Sequence, residues 1–181
     1  MSSGRWKGFR SEMEQNSAYG ASERYLDVRG KDYFAYQRSI AEANGDLVAR
    51  KFQRYLRPED CVLDFGCGGG YLLKALNCAH RVGVEINPAA LREAANNGIE
   101  CHSVLDTVMD KTIDVIVSNH ALEHVPFPIE ALRQLKRKLK PRGALALCVP
   151  IDDWRTQKRY TPQDLNHHLH TWTPLALAVR V

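Results

Sequence analysis

The chain has 181 residues, of which 44% are apolar, 25% charged and 8% aromatic. These are the proportions of one globular domain, and they exclude a disordered or collagen-like chain. The net charge of +4 neither demands a nucleic-acid partner nor forbids one, and without a run of ~18 apolar residues no membrane span is expected.

Residues 1–30 open with MSSGRWKGFRSEMEQNS, which has no apolar stretch of the kind a signal peptide needs, and read as a loose tail. From Lys31 the pattern turns helical, and Asn44-Gly45 predicts a break. Val48, Phe52, Tyr55 and Leu56 then recur on one helix face until Arg57-Pro58 ends it. Residues 31–57 therefore form a helical cap.

Past Pro58 short apolar runs alternate with helical stretches. CVLDF (61–65) precedes YLLKAL (71–76), and RVGVE (81–85) precedes PAALREAANN (88–97). The latter is opened by Asn87 as N-cap with Pro88 behind it and closed by Gly98. IECHSV (99–104) and IDVIVS (113–118) are further strand candidates. PIEALRQLKRKLK (128–140) carries an apolar stripe, and Pro141-Arg142-Gly143 turns the chain into ALALCV (144–149). Strands alternating with helices predict an α/β fold, a doubly wound and mostly parallel sheet occupying residues 58–150. The strands are almost unbroken apolar runs, as helices on both faces require.

The first strand ends in VLDFGCGGG. Its glycines permit a sharp turn and close approach of a ligand to bare backbone. The second ends in Glu85, where a carboxylate can accept from both hydroxyls of a ribose. A dinucleotide loop wants G-x-G-x-x-G, but Tyr71 stands at the last of those positions, and Asp64 would repel a pyrophosphate. A cationic ligand without phosphate suits Asp64 better.

These residues resemble the class I S-adenosylmethionine-dependent methyltransferases. VLDFGCGGG is similar to that family's first motif and VGVEIN to its ribose-binding strand end. IDVIVSNHALEHVP followed by LKRKLKPRGALALCVP resembles its fourth strand, the loop after it and its fifth strand. DLNHHLHTWTP is similar to the ending of uncharacterised bacterial methyltransferases of this type. The resemblance implies S-adenosyl-L-methionine as cofactor. Asp64 would face its amino group, while Gly66, Cys67 and Gly68 pass beneath it. Glu85 would hold the ribose, with Ile86 on the adenine face. Leu105 and Asp106 would flank the adenine, and Asn119 and His120 would line the methionyl end. Tyr33, Phe34 and Tyr36 would form a lid. The implied activity is methyl transfer to a small-molecule O, N or C nucleophile. A non-catalytic domain of the same fold is the alternative, and a nicotinamide-dependent oxidoreductase is a third reading that Asp64 and Tyr71 disfavour.

A hydroxyl or amine acceptor would profit from a base. His120 is the best placed, since it opens the loop after the fourth strand. His124 reads as a packed residue, because H-A-L-E-H is not the H-E-x-x-H of zinc proteases. His167, His168 and His170 suggest a polar flap over the acceptor within residues 151–181, with His167 and His168 as candidate catalytic groups. Their spacing matches no zinc pattern, so no metal is expected. The odd number of cysteines and the lack of C-x-x-C favour a reducing, cytoplasmic setting.

Ser118-Asn119-His120-Ala121 replaces the N-P-P-Y-like stretch of nucleobase methyltransferases. The basic run from Arg133 to Arg142 reads as the solvated face of an amphipathic helix, so nucleic acid is not the expected partner. The family's sixth and seventh strands are missing from the expected fold. ALALCV would then be an edge strand, covered by the last helix or by a second copy in a homodimer.

Overall fold

The structure, a computed structural model, describes residues 28–151 and 168–173. Helix α1 spans Val28–Gln53. Strand β1 (Cys61–Phe65) leads to a short helix α2 (Tyr71–Ala75), and β2 (His80–Val84) leads to α3 (Pro88–Asn96). Strand β3 (Glu100–His102) is followed by a 3₁₀ turn at Leu105–Thr107. Strand β4 (Ile113–Asn119) is followed by a second such turn at Leu122–His124. Helix α4 (Pro128–Lys138) then runs into β5 (Leu139–Cys148). Every strand pairing is parallel, in the order β3-β2-β1-β4-β5. Among the described residues the sheet has five strands, and β5 stands at its edge. No described helix is long and apolar enough to cross a membrane.

Strand alternation builds two cores. Val62, Val115 and Val117 face α1, α2 and α3, where Phe52, Leu73, Leu76 and Ala94 are buried. Leu63, Val82, Val84 and Ile116 face the other way, onto Leu132 and Leu135 of α4, Leu122 and Trp172. Burial of each such side chain stabilises the fold by about 1.5–3 kcal/mol. Gly83 is bare because a Cβ there would sit 2.6 Å from the Cys67 sulfur. All of the cysteines are free.

The break expected at Asn44-Gly45 does not occur. The helix runs through it, with Asn44 Nδ2 donating to the Ile40 carbonyl at 2.8 Å. Gly45 is a contact residue instead: a Cβ there would come within 3.2 Å of the Tyr71 carbonyl oxygen, so the glycine lets α1 lie on α2. The turn at 141–143 is present but lies inside β5. Ile113 pairs with Leu139 and Val115 with Ala144, so the residues between form an excursion, with Arg142 at a φ of 70°. Of the basic run, Lys138 is buried and bonded to Asp110 at 2.7 Å, and Lys140 is paired with Asp114 at 2.7 Å. The expected tail runs three residues too far, since α1 already begins at Val28, and its residues 1–27, like the flap over 152–167 and 174–181 including His167, lie outside the described residues.

Candidate active site

The strand order reverses between β1 and β4, which opens a crevice beyond their carboxyl ends. A cavity of about 600 Å³ occupies it, walled by the β1 loop, the end of β2, the β4 loop and α1.

The β1 loop turns on Gly66, Gly68 and Gly70, whose φ angles are 80°, 53° and 77°. Gly66 is the tightest of them, since a Cβ would lie 2.4 Å from that of Ala121 in the β4 loop. Gly66 and Cys67 both donate backbone N–H to the Val84 carbonyl, at 2.9 and 3.1 Å, which folds the loop onto β2. The Glu85 carboxylate accepts from Gly68 N at 2.9 Å and from Asn87 N at 2.8 Å. Burial pushes its pKa up, against the pull of those two amides. The backbone donor that a phosphate would seek is thus already bonded to a carboxylate. Tyr71 further crowds the loop, lying where a Cβ on Gly69 would come within 2.7 Å of its ring.

Asp64 lies at the end of β1, buried, with Oδ1 unpartnered. Burial, aided by the neighbouring Glu85, pushes its carboxyl up to about 8. An orphaned acidic oxygen in a cavity wall is costly unless a cation or donor meets it. A ligand with an ammonium group and ribose hydroxyls fits this wall, and a pyrophosphate does not. Cys67 is buried and its thiol lies well above the usual range through burial, so it is a packing residue rather than a nucleophile.

Asn119, at the end of β4, also has its Oδ1 buried and unpartnered. His120 follows with a φ of 56°, a left-handed conformation uncommon outside glycine, though histidine is among the residues that adopt it more readily. Its N–H donates to the Cys148 carbonyl at 2.8 Å, and its Nδ1 stands 3.4 Å from Glu123 Oε1. Glu123 is fully buried. The segment 168–173 closes this end. Leu169 and His170 donate their N–H groups to the Glu123 carbonyl at 2.9 and 3.2 Å. His170 Nε2 lies 2.9 Å from the Val125 carbonyl, and Trp172 is buried.

Asp64, Gly66, Cys67, Gly68, Glu85, Ile86, Asn119, His120 and His168 all line the one cavity. Leu105 and Asp106 do not. Leu105 is buried among Val82, Val84 and Val108, and Asp106 faces Arg137 on the surface at 3.8 Å. Tyr33 and Phe34 line the roof, whereas Tyr36 is outside it and half exposed at 50%. His124 is a wall residue too, edge-on to His168 with ring centroids 5.1 Å apart. Sequence reasoning passed over Glu123 as a site residue. Its signal was its place between His120 and His124, which invites a zinc reading that the H-A-L-E-H order set aside.

The profile of a methyltransferase domain family matches residues 35–181. The chain is 34% identical over 102 residues to the "Ubiquinone biosynthesis O-methyltransferase" of Haemophilus ducreyi, covering 48% of this chain and 43% of the relative. It is 37% identical over 117 residues to the "Ribosomal protein L11 methyltransferase" of Thermosipho africanus, covering 59% and 44%. The chain thus spans less than half the length of these curated relatives. A crystal structure of a SAM-dependent methyltransferase from Archaeoglobus fulgidus shares the fold, with a TM-score of 0.60 and 22% identity over 80% of this chain and 71% of that one.

Proposed function

We propose, from the premise that the chain belongs to the class I S-adenosylmethionine-dependent methyltransferase family, that it transfers a methyl group to a hydroxyl of a small molecule. The observation that carries this reading is the pair of acidic groups on one wall, Asp64 unpartnered and Glu85 held by backbone amides, facing imidazoles on the other.

Asp64 receives the cationic amino group of the cofactor on its free oxygen. Glu85 keeps lone pairs for the ribose hydroxyls beyond the two amide bonds it accepts. Gly66 and Gly68 leave room for the methionyl chain, and Ile86, 40% exposed, offers an apolar face to the base. When bound, the cofactor supplies an electrophilic methyl on a sulfonium, so the chain's task is orientation and exclusion of water. His120, with His168 opposite, is placed to take the proton of the acceptor. The name of the Haemophilus relative, an O-methyltransferase, supports an oxygen acceptor. We place the reaction in the cytoplasm, since unpaired cysteines suit a reducing compartment.

Calorimetry with S-adenosylhomocysteine and with NAD tests the cofactor half. Binding of the first and not the second is expected, and binding of NAD alone overturns the reading. Formation of S-adenosylhomocysteine over a panel of phenols, alcohols and amines tests the acceptor half. Binding without turnover on any of them would make the chain a cofactor-binding domain.

A further inference from the structure

Glu123 is an anomaly on energetic grounds. It is fully buried, both carboxylate oxygens lack a hydrogen bond, and it lines the cavity. Burying a carboxylate without compensation is among the costliest things a fold can do. Its neighbours are imidazoles, but at 3.4 Å from His120 Nδ1 and 3.9 Å from His168 Nε2 they do not complete hydrogen bonds to it.

The separation from His168 has another meaning. Ligands about 2.0–2.2 Å from a shared tetrahedral ion lie about 3.3–3.6 Å from one another, so Glu123 and His168, at 3.9 Å, need to draw together by only a few tenths of an ångström to share one. Ligand atoms of Glu123, His124 and His168 all fall within 4.8 Å of each other. The set of two imidazoles and one carboxylate is that of catalytic zinc sites, which keep one position open.

We infer that Glu123, His124 and His168 bind a divalent transition-metal ion, with Zn²⁺ the best match in donor chemistry, at the acceptor end of the cavity. The backbone supports the arrangement. Glu123 and His124 sit together on the 3₁₀ turn after β4, and the Glu123 carbonyl holds the 168–170 segment through two N–H groups. The same residue thus provides a ligand and positions another. H-A-L-E-H conceals this in the sequence, because the third ligand comes from a distant segment.

The role of the ion rests on the function proposed above. Glu123, His124 and His168 line the cavity, so an ion held by them would be open to the acceptor hydroxyl and would make its proton easier to remove. The proton passes to His120 at the rim. The oxygen forms the new bond to the methyl carbon as the carbon–sulfur bond breaks, leaving its electron pair on sulfur.

The test is titration calorimetry of the chelator-dialysed full chain with Zn²⁺, with Co²⁺ absorption as a spectroscopic check on the ligand set. One ion per chain is expected, and a visible Co²⁺ band. Glu123→Gln and His168→Ala should each weaken binding by at least about tenfold. His80→Ala, on an exposed histidine at the start of β2, should not. No uptake by the unaltered chain, or equal affinity in Glu123→Gln and His168→Ala, overturns the site. Circular dichroism of each variant guards against loss of fold. S-adenosylhomocysteine affinity, measured in the same preparations, separates the two readings. Ion binding without nucleoside binding leaves the site standing and removes the role given to the ion. Nucleoside binding without ion binding removes the site and leaves the cofactor reading intact.

Discussion

The two walls of the cavity are built on different principles. The β1–β2 wall is made largely of backbone: a glycine loop and two amides on Glu85, with the Asp64 carboxylate beside them, all between β1 and the start of α3. The β4 wall is made of side chains from two separated segments, clamped together by main-chain bonds to Glu123. Each wall buries an acid with an unpartnered oxygen, Asp64 on the first and Glu123 on the second. The cavity therefore awaits positive charge at both ends. One end is fixed by local geometry that leaves little freedom, and the other is assembled by tertiary contact.

Substitutions should divide along the same line. The largest effect is expected at Gly66. Gly66→Ala forces a left-handed alanine against Ala121 and should cost about 2–5 kcal/mol of stability, read by chemical denaturation. Gly68→Ala meets nothing within 4 Å, so only the backbone conformation, about 1–2 kcal/mol, should be lost. Equal losses at the two positions would show that the loop does not hold the β4 turn at this distance.

Glu85→Ala should weaken S-adenosylhomocysteine binding by about 1–3 kcal/mol. Glu123→Gln, on the opposite wall, should leave that affinity unchanged while turnover falls. If both changes reduce nucleoside affinity alike, the division of labour between the walls is wrong.

The pH dependence follows from Asp64. Without ligand its folded carboxyl is raised to about 8, so its contribution to stability is fully present below the usual carboxylate range, near 4, and is lost as pH rises through about 8. A bound cation favours the ionised form. Binding should therefore release a proton below pH 8, and affinity should rise with pH toward that value, by up to about tenfold per unit. Calorimetry in buffers of different ionisation enthalpy measures the release, and Asp64→Asn should abolish it. Asp106→Ala should have the smallest effect, within about 0.5 kcal/mol on stability or binding, because its carboxylate is on the surface beside Arg137. A loss of nucleoside affinity there would return Asp106 to the site.

The first wall was readable in the sequence because its determinants are local. Glycine spacing, a strand end and an N-cap all lie along one stretch of chain. Asn87 does cap α3, accepting from Ala89 N at 2.9 Å, as its position before Pro88 predicted. The second wall was only half readable. His120 follows from its place after β4, and Glu123 stood beside it in H-A-L-E-H, but the group that completes the cluster, His168, became visible only once the 168–173 segment was seen folded against Glu123. Leu105 and Asp106 followed from resemblance alone, and the turn at Leu105–Thr107 instead points one into the core and the other to solvent. At Asn44-Gly45, local propensity was overridden by the packing of one helix on another, which spacing along the chain does not record.

Asn87 carries a second duty with wider consequences. While its side-chain oxygen caps α3, its Nδ2 donates to the Gly30 carbonyl of α1 at 2.8 Å, and Arg38 of the same helix reaches Glu93 at 2.8 Å. One amide thus latches the cavity's ceiling to the strand end that carries Glu85. An aspartate in its place would retain the cap and release the latch, uncoupling entry to the chamber from the integrity of its floor.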